Sequence, residues 1–165
     1  KEEVHVICLF ETLEGALLFE THVQEKLYKI KNEPRIFGRQ IIMGEEDNEI
    51  GEFDHLLIQA TDIPFADVYN LTRQNGGIMI PAHIDKKTNS LLSNLGFIPP
   101  FSKFTCVEMG DISQKKQLLE RHSYLKECQC ISNSDAHSLE DISEAINYLS
   151  VTQINRKEIL KQLSL

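Results

Sequence analysis

The chain predicts a parallel α/β fold, either a barrel or an open sheet, and three observations carry that expectation. Short apolar runs at 4–10, 77–80, 105–109 and 128–131 alternate with stretches of helical periodicity. The runs are too short and too uniformly apolar for a sheet with one wet face, which is the pattern of strands covered on both sides. Histidine and aspartate stand in or just past three of these runs, where α/β folds place their chemistry. At 165 residues the chain suits one domain with a real core.

Taken in order, Val4 to Phe10 (VHVICLF) reads as the first strand, with β-branched residues and little polarity. Thr12 is placed to cap the next helix, with Gly15 at its third helical position. Leu13, Ala16, Leu17, Val23, Leu27 and Ile30 recur at helical spacing, predicting about five turns with one buried stripe. Asn32-Glu33-Pro34 ends that helix, because the residue before proline is pushed out of the helical region. Residues 35–62 read as a hairpin-like excursion or a helical insertion carrying the acidic stretch Glu45-Glu46-Asp47. That stretch lacks the spacing of an EF-hand and reads as a solvated loop.

Asp62 as cap and Pro64 in the first turn open the next helix, with Phe65, Val68 and Leu71 as its apolar face. Asn75-Gly76-Gly77 closes it, and Gly77-Ile78-Met79-Ile80 forms a buried strand stopped by Pro81. A short helix spans Ser90 to Leu95 and ends at Gly96. Thr105 to Met109 is a strand, Asp111 to Tyr124 a polar helix, and Cys128 to Ile131 a further strand. The final predicted helix takes Ser138 as cap, Asp141 at its third position, and Leu139, Ile142, Ile146 and Leu149 as its stripe.

Composition narrows the function classes. The net charge is −8, from 25 acidic and 17 basic residues, which disfavours binding nucleic acid through a broad basic face. A small phosphorylated substrate stays compatible, since bound cations reverse the local field of an acidic site. No run approaches a membrane span, and the start Lys1-Glu2-Glu3 has no signal-peptide core. Four cysteines without a CxxC pair read as reduced packing residues, which points to the cytoplasm. No glycine-rich phosphate loop follows any strand, against dinucleotide and P-loop chemistry. A strand beginning almost at the first residue, with no initiating methionine, leads us to expect missing N-terminal sequence.

Imidazole nitrogen and carboxylate oxygen are suitable ligands for Zn²⁺, Mn²⁺ or iron. His83 lies two residues past Pro81, and Asp135 and His137 follow the last strand; in an extended segment the latter two point the same way and can share a metal. Each has a plainer reading: His83 as a hydrogen-bonded structural histidine, Asp135 as a turn residue ahead of a helix, His5 as a satisfied core histidine. Glu108 reads as a ligand, a partner of a ligand, or a surface residue. His22, His55 and His122 fall on polar stretches and are expected to be exposed.

In order and approximate spacing, Glu3-Val4-His5-Val6, Gly77-Ile78-Met79-Ile80-Pro81-Ala82-His83 and Ser134-Asp135-Ala136-His137 resemble the later motifs of the PHP (polymerase and histidinol phosphatase) family. Phe37-Gly38-Arg39-Gln40 and Leu95-Gly96-Phe97-Ile98-Pro99 resemble a bacterial subgroup of stand-alone members. The resemblance implies a distorted (β/α)7 barrel, here the C-terminal portion of a single domain over residues 1–165 with room for an insertion at 33–56. It also implies up to three divalent metal ions (Zn, Mn or Fe), with His5, His83, Asp135 and His137 as ligands and Asp135 and His137 in the catalytic step. The family's opening His-x-His pair and Gly-x-Glu segment have no counterpart in this chain.

The expectation is a metal-dependent phosphoesterase acting on a phosphomonoester, or on a nucleotide or short oligonucleotide, through a metal-activated hydroxide. Arg39, Lys86 and Lys87 are candidates for seating the phosphate. The alternative is a non-catalytic module that has lost part of its metal site. For the 165-residue chain alone weak or absent turnover is expected, because an open half-barrel exposes strand edges.

Overall fold

The computed structural model describes residues 1–165. The first apolar run folds as β1 (Val6–Phe10), half-buried along its whole length. Thr12 then caps α1 (Leu13–Glu25), its side-chain oxygen accepting from Gly15 N–H at 3.1 Å. The cap is as expected, but the helix stops at Lys26 rather than before Pro34, and its buried face is rotated. Leu13 and Leu17 face water, while Gly15 is buried and Phe19 stacks on Phe10 with ring centroids 5.1 Å apart. Gly15 explains the rotation: a Cβ there would lie 2.2 Å from the backbone oxygen of Asn75. Only a residue without one lets the helix approach this closely.

A prediction follows from that contact. In an open helix Gly→Ala stabilises by roughly 1 kcal/mol. Here the clash is with backbone and reverses the sign, so Gly15→Ala should destabilise by about 1–3 kcal/mol. Thermal denaturation should show the midpoint falling by several degrees; a midpoint that rises would mean that α1 does not pack on Asn75.

The excursion expected over 35–62 is a hairpin. After the single turn α2 (Pro34–Phe37), β2 (Ile41–Met43) pairs antiparallel with β3 (Glu49–Glu52) around the acidic turn. Both strands are exposed, and Arg39 bonds Glu49 and Glu52 at their base. The acidic residues face solvent, in keeping with their reading as a loop.

Pro64 occupies the cap position of α3 (Phe65–Gln74), while Asp62, the expected cap, pairs with Lys1 at 3.1 Å. Gly76, at φ +72°, reverses the chain into β4 (Gly77–Pro81), every residue of which is buried. A reciprocal Ser90–Ser93 cap opens α4 (Leu91–Leu95), and Gly96 closes it in the left-handed conformation. β5 (Cys106–Glu108) follows, also fully buried. The polar helix expected over 111–124 is broken into a 3₁₀ turn, α5 (Lys115–Arg121) and a second 3₁₀ turn. It leads into β6 (Gln129–Ile131), parallel to β5. All four cysteines are free, as expected of packing residues; Cys106 is buried and the other three are half-buried.

The helix predicted after His137 does not form. Ser138 and Asp141 make the expected reciprocal cap, but it closes only a 3₁₀ turn at Leu139–Asp141. Residues 142–155 are irregular, and Leu139, Ile142, Ile146 and Leu149 are exposed. The last helix is instead α6 (Arg156–Leu163), with Asn155 as cap, and it brings Leu163 against Ile78, Ile80 and Cys106. The other core cluster joins Phe65, Met79, Ile84, Leu91, Val107 and Leu125, so β4 and β5 lie at the centre of both.

The (β/α)7 barrel is therefore not the fold. The strands pair two by two, β1 with β4, β2 with β3 and β5 with β6, and no ladder closes on itself. β1 runs antiparallel to β4, from Val6 opposite Pro81 to Phe10 opposite Gly77, whereas a β/α barrel needs every strand parallel. Only β5 and β6 are parallel. The apolar content of a strand is the same in either direction, so the sequence pattern did not distinguish them. What positions the site is the contact of β4 with β5, extended by Ile84 N–H donating to Glu108 O at 2.9 Å.

Candidate functional site

Three segments converge where β4 and β6 end. His5 stands just before β1, and its backbone is fixed on both sides: its N–H donates to Asn89 O at 2.9 Å, and its carbonyl accepts from Ala82 N–H at 3.0 Å. His83 lies two residues past β4, buried, with φ +29°. Asp135 lies in the loop after β6 at φ +50°. Positive φ in residues other than glycine is costly and persists only where surrounding contacts impose it, a condition common at functional sites.

The contacts that impose it are visible. Glu108 Oε1 accepts from His83 N–H at 3.2 Å, and Lys86 N–H donates to His83 O at 3.0 Å. On the other loop, Asn147 Oδ1 accepts from Ser132 N–H and Asn147 Nδ2 donates to Ser132 O, at 3.0 and 2.7 Å. Asp135 is thus not in an extended segment, and the expected side-by-side display of Asp135 and His137 does not occur. The two meet differently, through His137 Nδ1 and the backbone oxygen of Asp135 at 2.9 Å.

At the centre, His5 Nδ1 lies 3.2 Å from His83 Nε2, the rings meeting edge to face with centroids 5.2 Å apart. His83 Nε2 is also 3.9 Å from Asp135 Oδ2. That oxygen is held by the Lys86 ammonium. His83 Nδ1 is buried and has no hydrogen-bond partner. The sequence thus gathers His5, His83 and Asp135 directly and His137 through Asp135, while His137 itself is exposed. Of the phosphate-seating candidates, Lys86 is at the site, Arg39 is committed to Glu49 and Glu52 on the hairpin, and Lys87 is exposed. His22, His55 and His122, expected to be exposed, are half-buried.

The electrostatics favour the ligand forms of two groups. Partial loss of water around the His5 ring, followed by the neighbouring His83 charge, pushes its pKa down, which leaves a neutral imidazole with a free lone pair. The hydrogen bond from Lys86 and then its charge hold the Asp135 carboxyl below the usual carboxylate range, against a smaller opposing effect of burial.

Does this donor set suit a divalent metal? A tetrahedral Zn²⁺ with Zn–N bonds of about 2.0–2.1 Å holds neighbouring nitrogens about 3.3 Å apart, close to the observed His5–His83 separation. Two imidazoles and a carboxylate are the right chemistry, while the buried, unpartnered Nδ1 is the other ring nitrogen of His83, not the Nε2 that meets His5 and Asp135. As the side chains stand, no three His, Cys, Asp or Glu residues are grouped to hold an ion. The third donor is turned to Lys86. The set fits a metal provided that Asp135 exchanges one cation for another.

Three contributors were not read as a unit from sequence: Glu108, Asn133 and Asn147. Asn133 Nδ2 donates to Glu108 Oε2 at 2.5 Å, and Asn147 Nδ2 donates to Asn133 Oδ1 at 3.0 Å. A charged residue inside the apolar run Cys106-Val107-Glu108-Met109 was the available signal, because acidic side chains are almost never fully buried without partners. A surface hollow of about 470 Å³ beside Ile112, Lys115 and Lys126 shares no residue with this cluster. No helix is long and apolar enough to cross a membrane. Compared with protein-family models, with curated proteins and with solved structures, the chain matches none.

Proposed function

We propose that this chain carries His5, His83, Asp135 and His137 as ligands of a divalent-metal-dependent phosphoric ester hydrolase. The observation that carries the reading is the convergence of His5 and His83, 78 positions apart, onto Asp135 with their ring nitrogens 3.2 Å apart. A bound metal would supply a hydroxide nucleophile near neutral pH and offset the charge that develops on phosphate oxygens. His83, wedged at positive φ by Glu108 and Lys86, holds its Nε2 toward His5 and Asp135. Lys86, on giving up Asp135, has a free ammonium beside the site for a phosphate oxygen, a charge-assisted contact of the stronger kind. His137, with Nδ1 committed to Asp135 O, keeps Nε2 for a ligand or a proton. The substrate class is a small phosphate ester, with nucleic acid only as a short substrate.

The test is hydrolysis of p-nitrophenyl phosphate with Mn²⁺ or Zn²⁺ added, followed over hours because turnover is expected to be weak. Product should depend on the metal, vanish with EDTA, and fall by about 10²-fold in Asp135→Asn, which removes the charge and keeps the shape. Product that forms equally in EDTA or in Asp135→Asn would sink the proposal. One observation favours the other reading, a non-catalytic module: Lys86 already neutralises Asp135, as in a site that has replaced a metal with a side-chain cation. Metal binding or its absence with no hydrolysis at all would favour that module.

A further inference from the structure

We infer that Glu108 is a positioning residue of the cluster, a buried side chain that ties its two loops to one another beneath the Lys86–Asp135 pair. The inference rests on the metal-site reading above. Glu108 ends β5, is 4% exposed, and uses its two carboxyl oxygens on two different segments. Oε1 accepts from the backbone N–H of His83, and Oε2 accepts from the side chain of Asn133, two residues before Asp135. Its own backbone carbonyl accepts from Ile84 N–H, and the next residue, Met109, donates to Ile131 O at 2.8 Å. The β4 exit and the β6 exit are therefore both referenced to one residue of the strand between them.

The arrangement does work that the backbone ladder leaves undone. His83 sits at φ +29° and Asp135 at φ +50°, so neither is held by regular pairing, and each needs an outside contact to stay in place. Asn133 is itself fixed by Asn147, so a chain of hydrogen bonds runs from His83 through Glu108 and Asn133 to Asn147, without a charged partner for Glu108 in it. Asp85 makes a parallel staple, its two oxygens accepting from Gly110 and Asp111 N–H at 2.6 and 2.9 Å, which fixes the turn directly after β5. Glu108 touches no donor atom of the site. Its effect is on where His83 Nε2 and Asp135 Oδ2 lie relative to each other, and residues that orient ligands in this way typically change metal affinity by about 10–100-fold when removed.

The experiment compares wild type, Glu108→Ala, Glu108→Gln and Leu125→Ala in two measurements. Leu125 is fully buried in the main core and takes no part in the cluster's hydrogen bonds, so it controls for general destabilisation. The first measurement is Co²⁺ titration followed by visible absorption. Glu108→Ala should weaken Co²⁺ binding by about 10–100-fold and alter the band shape. Glu108→Gln should fall between wild type and Glu108→Ala, because its amide oxygen keeps the acceptor for His83 N–H, while its amide nitrogen faces the Asn133 amide nitrogen, which Asn147 holds in place. Leu125→Ala should melt earlier yet bind within about twofold of wild type.

The second measurement is the imidazole nitrogen NMR signals of His5 and His83 in the metal-free chain, which should move in Glu108→Ala and stay in Leu125→Ala. Co²⁺ binding and histidine signals that are both unchanged in Glu108→Ala, or a loss of affinity as large in Leu125→Ala, would overturn the positioning role and leave the metal site standing. No Co²⁺ uptake by wild type, with histidine signals that still move in Glu108→Ala, would overturn the metal reading and keep Glu108 as a tie between the loops.

Discussion

Replacing His83 by alanine is expected to strip the purified chain of divalent metal. Elemental mass spectrometry should find Zn, Mn or Fe near one ion per chain in wild type, and less than about a tenth of that in His83→Ala. The reason is that His83 is the hub: its Nε2 is the atom that meets both His5 Nδ1 and Asp135 Oδ2. Without it the proposed site loses the one donor that both His5 and Asp135 approach. The stability cost should be modest by comparison. Alanine leaves a small void, but it also removes the buried, unpartnered Nδ1. Zn²⁺ should therefore raise the melting temperature of wild type and not of the variant, since a ligand stabilises only what it binds. Equal metal content in both chains would remove His83 from the site.

Ile80→Ala is expected to give the largest loss of stability among single truncations of the central strand, about 2–5 kcal/mol. Ile80 is 0% exposed in the middle of β4, pairs across to Ile7 on β1, and packs with Ile78, Cys106 and Leu163. It therefore contacts, or lies in register with, β1, β5 and α6 together, so the cavity cannot be closed by moving one neighbour. For a chain of this size each kcal/mol lowers the melting temperature by about 2–4 °C, so the midpoint should fall by roughly 10 °C. Ile50→Ala on the exposed hairpin, with Ile50 63% exposed, should stay within about 0.5 kcal/mol of wild type. Urea denaturation of the three proteins checks this, and an Ile80→Ala cost below about 1 kcal/mol would mean that β4 is not the centre of the core.

The parts of the fold that were legible in sequence are those whose signals are local. Gly76-Gly77 before an apolar run, Pro81 after it, Ser90 and Gly96 around five residues, and Thr12 before α1 each describe chemistry within one turn, and each element is present. The parts that failed depend on partners far away. Leu139, Ile142, Ile146 and Leu149 have helical spacing, but a short helix without a surface to bury against gains too little to form. The stripe on α1 was misplaced because Gly15, not a leucine, decides which side can approach Asn75. The site was legible as a set of residue types beyond strand ends, and His5, His83 and Asp135 do meet. Its geometry was not legible, because positive φ at His83 and Asp135 is imposed by Glu108, Lys86 and the Asn147 contacts across the chain.

The pairing of β1 with β4 also has a consequence during synthesis. About seventy residues separate Phe10 from its partner Gly77 and Val6 from Pro81. At a typical elongation rate of about 5–20 residues per second, the first strand leaves the ribosome roughly 4–14 s before the segment that will cover it. Through that interval the apolar VICLF strand has no native mate, and the nearest sheet-forming segment available to it is the β2–β3 hairpin. That interval leaves VICLF open to non-native pairing, and it is the late emergence of Gly77–Pro81 that closes it.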